Sequence, residues 1–467
     1  MIKNNFKKLY PIFFGMVLWV VGPFPGLNED GYNIFIVFVS VIISLLIRAV
    51  PMAITVLTGL TFSVLTGLIS LKEALKGYSD STTWLVVIAF LIAGAIIDTG
   101  LGKRISFLCI YGLGRSLVGL GYALCFSELI LGPIIPSNTA RGGGILAPIV
   151  NSMCRVLGSQ PNQNPKKAGQ YLHLVGAHAN LITAAMFLTG MAANPLISKA
   201  AYDIFEIDFD WFNWALGAMV PGLIGLAGLP ILIKYLSPPT IKSIEPIREK
   251  VKRDLKEIGP WTAAEIYTAI ILVVMLLLWS TKPIHGIGTT TVSLLGLIFI
   301  SLLNTVSWDQ MVKNHRAWDT LIWLGGLLTL ATKLKDLGFV SWFAENIQQN
   351  FYGINPIPLL IILALIYFYS MYLFSMLTAH IIALASAIFL ILINVDINPF
   401  LIVAIIAYFS NLCGCLTNYS TGPVIIYFGN GYIKTAVWFK IGFLISIYHI
   451  FVWFGFGLVW WKIIGWY

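Results

Sequence analysis

Four short polar clusters interrupt an otherwise apolar chain, and they hold the side chains that could do chemistry. They are Ser137-Asn138-Thr139-Ala140-Arg141 with Gly142-Gly143-Gly144 behind it, Thr189-Gly190-Met191-Ala192-Ala193-Asn194-Pro195, Ser375-Met376-Leu377-Thr378-Ala379-His380, and Thr417-Asn418-Tyr419-Ser420-Thr421-Gly422-Pro423. Hydroxyls and an amide at a chain reversal, followed by a new helix with free N–H groups, make a neutral anion cradle at the positive end of the helix dipole. Ser137, Asn138 and Thr139 form one such cradle. Thr378, Ala379 and His380 form a matching one in the second half of the chain. One carboxylate on each would select short dianions by their span, and neutral donors let the anion go again, as a carrier needs. Against this stands the plainer reading of Ser137 to Thr139 as an ordinary turn or helix cap, for which the same residue types are favoured.

Arg141 adds a permanent cation two residues after Thr139. At membrane depth such a charge is costly and faces a partner, a cavity or a substrate. It serves either as a fixed positive charge beside the anion or as half of a structural ion pair with Glu128 or Asp98. His380, in the equivalent place of the third cluster, either donates to a carboxylate or packs as a satisfied histidine. His173 and His178 are not spaced to share a helix face, which argues against a metal pair, and His449 reads as core. The five cysteines lie in or beside apolar stretches as small packing residues. No metal site and no cofactor is expected. The sequence contains no G-x-x-x-x-G-K-[ST], no H-E-x-x-H and no G-x-S-x-G, so neither a primary pump nor a familiar membrane hydrolase has support, and the chain reads as no enzyme.

The elements that must position these clusters are apolar helices. Hydrophobic residues make up 58% of the chain and charged residues 10%, more apolar surface than a water-soluble fold can hide. Long runs without period-2 alternation predict an all-α polytopic membrane protein. The candidate spans are 9–24, 32–48, 51–70, 82–101, 170–198, 211–235, 262–281, 287–304, 318–335, 398–428 and 436–464. The net charge of +9 sits mainly in loops and so reports topology; no nucleic-acid partner is implied. Arg48, Lys103, Arg104, Lys166, Lys167, the run from Lys242 to Lys256, Lys313 and Arg316 fall on one side, which places the N-terminus in the cytoplasm. Lys72, Lys76, Lys199, Lys282, Lys333 and Lys335 are exceptions on the other side. Lys3, Lys7 and Lys8 precede an apolar run with no cleavage site after it, so the first helix is expected to be retained.

A charged connector at 237–260 divides the chain into halves with similar order, and matching interruptions point to an inverted repeat. In repeat 1 the scaffold helices take 1–80, and the transport region 81–210 holds a re-entrant hairpin at about 118–155; 211–236 is the last helix. In repeat 2 the scaffold takes 261–317, and the transport region 318–435 holds a second hairpin at about 356–394; 436–467 is the last helix. Thr189, Asn194, Asn418, Ser420, Thr421 and Gly422 belong to the two broken helices.

The sequence from Pro136 to Ile145, together with 375–380 and the stretch from Leu416 to Tyr432, resembles the divalent anion/sodium symporter family. It is most similar to the family's citrate/succinate and 2-oxoglutarate/malate exchanger branch. The resemblance covers essentially the whole chain. It implies about eleven spanning helices plus two re-entrant hairpins in a homodimer, with a fixed scaffold and an elevator-like transport domain. It also implies a substrate site formed by Ser137, Asn138, Thr139, Arg141, Thr378, Ala379, His380, Thr189, Asn194, Asn418, Ser420, Thr421 and Gly422. The second Ser-Asn-Thr of sodium-coupled relatives is replaced here by Ala379-His380-Ile381, and Arg141 lies beside the first. A built-in cation performs the charge compensation that Na+ would supply. The expectation is a sodium-independent exchanger (antiporter) of 2-oxoglutarate, malate, succinate or fumarate in the plasma (inner) membrane. The alternatives are a Na+-coupled di/tricarboxylate symporter and, from another class, an anion channel.

Overall fold

The computed structural model describes residues 2–47, 50–241, 243–351 and 355–467. Arg48 and Lys242, two of the cations expected on the cytoplasmic side, lie outside the described residues, and the side chains of Lys3, Lys7 and Lys8 likewise.

Among the described residues the chain is helical throughout, without strands. The first half runs α1 (Ile2–Val21), α2 (Glu29–Ile47), α3 (Met52–Leu65), α4 (Leu71–Ala74), α5 (Ser81–Asp98), α6 (Leu101–Leu113), α7 (Leu117–Leu131), α8 (Ala147–Val156), α9 (Gly169–Met186), α10 (Asn194–Phe205) and α11 (Trp211–Leu236). The connector carries α12 (Glu245–Ile258). The second half runs α13 (Ala263–Ser280), α14 (Lys282–His285), α15 (Thr289–Leu302), α16 (Trp308–Val312), α17 (His315–Asp336), α18 (Phe339–Phe351), α19 (Pro356–Ser370), α20 (Leu377–Leu392), α21 (Pro399–Leu412), α22 (Gly422–Gly429), α23 (Thr435–Phe451) and α24 (Leu458–Ile463). Among the described residues, seven helical segments are long and apolar enough to cross a membrane by length and composition. Several of the other expected spans are shorter apolar helices, including Met52–Leu65 and Thr289–Leu302.

Local signals explain where these helices begin. Ser70 with Glu73 at α4 and Ser307 with Gln310 at α16 form reciprocal capping boxes. These two short helices stand at corresponding places of the two halves. Asn355-Pro356 and Asn398-Pro399 each put an amide cap before a proline whose missing N–H costs the first turn nothing. In the connector, α12 lays Ile247 and Val251 inward and packs on α6 and α8, as an amphipathic surface helix does.

Two hairpins and two broken helices follow the same order in each half. The first hairpin descends along α7, reverses through residues 132–138, and returns through a π-helical stretch (Thr139–Leu146) into α8. The second descends along α19, turns through residues 371–376 and returns along α20. With 15 residues, α7 reaches about 22 Å at 1.5 Å per residue, short of a bilayer core of about 30 Å. The broken helices are α9/α10, interrupted around Phe187–Ala193, and α21/α22, interrupted around Cys413–Thr421. Every residue of α9 and of α21 from Leu401 to Leu412 is buried. These two helices form the centre of the molecule, wrapped by the hairpins and by α11.

Candidate functional site

The site is best built from Arg141, which is fully buried. Its Nε donates to Glu128 Oε2 at 2.5 Å, Nη1 to the carbonyls of Ile135 (2.9 Å) and Gly190 (3.2 Å), and Nη2 to Thr183 Oγ1 (3.2 Å). Asn180 donates to both oxygens of Glu128 and to the Asn138 carbonyl. Of the partners weighed for Arg141, the structure gives it Glu128. Its charge is balanced, and its donors are spent on the hairpin and on the broken helix α9/α10 instead of on the space between the tips. Of the two readings of Arg141, the structure shows the ion pair: a guanidinium in the protein interior is stable only when paired, and α7 supplies the carboxylate one hairpin limb away.

His380 repeats the arrangement. Its Nε2 lies 2.9 Å from the Tyr367 carbonyl and 2.9 Å from Ser370 Oγ, and its ring packs on Tyr367 with centroids 4.3 Å apart. Arg141 to Glu128 and His380 to Tyr367 are the same 13 residues apart. Around them, Tyr367 Oη pairs with Ser410 of α21 (2.7 Å) as Glu128 pairs with Asn180 and Thr183 of α9. In both halves a basic side chain in the first turn of the returning limb reaches back to the descending limb and, through it, to the broken helix. The two residues lock their hairpins.

The tips themselves meet the breaks. Thr189 Oγ1 donates to the Pro133 carbonyl at 2.6 Å and accepts from Trp211 Nε1, tying the first tip to the break of α9/α10. Leu377 N–H donates to the Ser420 carbonyl at 2.8 Å, tying the second tip to the break of α21/α22. Across the halves, Asn138 Nδ2 donates to Thr421 Oγ1 at 3.1 Å, and Thr139 packs where a Cβ on Gly422 would stand. Only glycine fits there. A Cβ on Gly142 would likewise come within 2.7 Å of Asn180 Nδ2, so this glycine lets the first returning limb lie against α9.

The remaining expected residues divide by accessibility. Ser137 Oγ accepts from Ala140 N–H and caps the returning limb; Ser420 Oγ donates to the Gly414 carbonyl; Asn194 donates to the Ala184 and Phe187 carbonyls and accepts from Asn411. These hold the breaks in shape. Ala379 is buried, whereas Thr139, Thr378, Asn418 and Gly422 are only partly covered and present the open polar surface of the region. The hydrogen bonds of Asn138, Thr189 and Leu377 join tip to break. The sequence reading missed Asn180, Thr183 and Asn411, which carry the inner network. Their signal was an amide ahead of each break, in Asn180-Leu181 and Asn411-Leu412. No group of three or more potential metal ligands occurs among the described residues.

The family described as "Sodium:sulfate symporter transmembrane region" matches residues 2–467. The Bacillus subtilis protein named "Putative malate transporter YflS" is 40% identical over 468 residues, covering 99% of this chain and 98% of that one. "Dicarboxylate transporter 1, chloroplastic" of Spinacia oleracea is 35% identical over 460 residues (98% and 81%), and the "L-tartrate/succinate antiporter" of Shigella flexneri is 31% identical over 462 residues (94% of each). Among solved structures, Neisseria gonorrhoeae MtrF superposes with a TM-score of 0.58 at 14% identity, covering 96% of this chain and 97% of that one, a likeness of fold. The chain is thus a multi-pass membrane transporter and not an enzyme, and it belongs to the divalent anion/sodium symporter family.

Proposed function

We propose that the protein exchanges C4–C5 dicarboxylates across the plasma membrane without sodium, binding one carboxylate at each hairpin tip. The single observation that carries this reading is Arg141: its guanidinium donates to the carbonyls of Ile135, at the hairpin reversal, and of Gly190, at the helix break. Unwound carbonyls of this kind are what coordinate a dissociable cation in transporters with broken helices. Here they are already satisfied by a cation that cannot leave, and His380 fills the corresponding position in the second hairpin. The reading of sodium independence rests on these satisfied carbonyls, with the guanidinium charge balanced by Glu128. The names of the relatives, a tartrate/succinate antiporter among them, support the substrate class and the exchange.

The dianion would lie against Thr139, Thr378, Asn418 and the N-termini of the π-helical stretch, α20 and α22, where hydroxyls and helix dipoles meet it without a fixed countercharge. Movement of the two hairpins and α9/α10/α21/α22 as one body against the outer helices, within a homodimer, would carry it across. The N-terminus would be cytoplasmic. The test is ligand-induced thermal stabilisation of the purified protein. Succinate, malate and 2-oxoglutarate raise Tm in sodium-free buffer; butyrate, with one carboxylate, does not. At a hundredfold excess over Kd the gain is about 2.7 kcal/mol. Stabilisation by succinate that appears only with Na+ would favour the symporter.

A further inference from the structure

A second cavity, of about 340 Å³, lies apart from the tips, between α2, α17 and α18 on one side and α10 and α20 on the other. None of the residues named for the dicarboxylate site lines it. Its walls are apolar, with Phe38, Ile42, Leu328 and Leu390 among them, and its charged residues are Lys199, Asp203 and Lys335. Lys199 is paired with Asp203 at 2.8 Å and lies 3.9 Å from Asp80. Lys335 donates to the Asp203 backbone carbonyl, which satisfies a donor but cancels no charge. Among the described residues no carboxylate lies within ion-pair distance of Lys335, and its side chain is exposed. The mouth of the cavity, at the ends of α10 and α17, therefore presents Lys335 as a cation without a carboxylate partner among the described residues, above an apolar interior.

We propose that this cavity binds a single-chain anionic amphiphile, a long-chain carboxylate, with its head on Lys335 and its chain along α2 and α20. Volume decides between one chain and two. At about 30 Å³ for each methylene- or water-sized group there is room for roughly eleven, which takes most of one palmitate-length tail, with the rest in the open mouth, and is far too little for a diacyl lipid. Burying such a tail removes it from water or headgroups with no polar group left unpaired. Since α20 is the returning limb of the second hairpin, an occupant wedged against it slows exchange without touching the dicarboxylate.

A diazirine analogue of palmitate, irradiated with the full-length protein in vesicles, tests this. Label is expected on peptides of α17 and α20, displaced by unlabelled palmitate but not by succinate or by dodecyltrimethylammonium. Lys335→Gln should reduce it at least fivefold, and Ala387→Phe, which fills the cavity, should remove it. Lys335→Gln leaves the core packing untouched, so it decides the matter if the second variant does not fold. Palmitate should lower the maximal exchange rate with the KM for dicarboxylate unchanged. Label elsewhere, label insensitive to Lys335→Gln, or competition by succinate overturns the proposal. The labelling reads binding alone, so it stands or falls independently of the exchange mechanism.

Discussion

At the scale of single residues, the pair Glu128–Arg141 shows how burial changes a role. Both side chains are fully buried, with a guanidinium nitrogen 2.5 Å from a carboxylate oxygen. Removing one partner strands a charge in the protein interior and costs about 3–5 kcal/mol. Arg141→Ala and Glu128→Ala should each lower Tm sharply in detergent, and the paired neutral change Glu128→Gln with Arg141→Met should recover part of the loss. A Tm for Arg141→Ala equal to that of the parent would mean that the pair does not hold the hairpin. Thr139 and Thr378 make the opposite prediction. Valine in place of either removes one hydrogen bond to a charged ligand, worth about 1.5–3 kcal/mol, so dicarboxylate affinity should drop roughly 10- to 100-fold in a titration while Tm stays put. The clusters that matter were legible in the sequence because polar residues stand out in an apolar chain. The direction in which Arg141 points was not: the spacing allows Glu128, Asp98 or a ligand, and only the chain reversal at 132–138 decides that the guanidinium turns inward. His380 has the same history, with Tyr367 as its anchor.

At the scale of elements, the polar and Gly/Pro breaks in the sequence coincide with helix ends: α7 stops at Leu131, α9 at Met186, α19 at Ser370 and α21 at Leu412. The true lengths of the outer helices were less legible, since hydropathy continues through loops that lie at the membrane surface; the expected span 51–70 is a helix only over Met52–Leu65. The second tip stands close to the end of α2, with Ser375 Oγ 3.5 Å from the Leu46 carbonyl. If the hairpins travel as a body, this contact breaks in each cycle. In a background lacking the five buried cysteines, Leu46→Cys with Ser375→Cys should cross-link with a mercuric ion and stop transport, and a thiol should restore it. Full transport in the cross-linked protein would rule out movement of this hairpin past α2.

At the scale of the whole molecule, the charge pattern gains an explanation. Three of the six lysines that broke the expected positive-inside bias are held in ion pairs. Lys282 pairs with Asp208 and Asp210, both at 2.6 Å, Lys199 with Asp203, and Lys333 with Glu73 at 2.7 Å. Lys282 and Lys333 clamp separate segments, Lys199 and Asp203 pair within α10, and the topology signal rests on the remaining cations. The hydrogen bond from Lys333 holds the Glu73 carboxyl down at about 2. A depressed carboxyl contributes stability above its ordinary range and loses it only as pH falls towards 2. The Tm difference between Glu73→Gln and the parent should therefore be the same at pH 6 and pH 8; a difference that changes across that window would mean that another group titrates with it.

The central claim, sodium-independent exchange, is tested most directly in proteoliposomes loaded with unlabelled malate and placed in sodium-free medium containing labelled succinate. Rapid uptake is expected, vanishing when the vesicles are empty and unchanged by an imposed Na+ gradient. Uptake into empty vesicles driven by that gradient would contradict it.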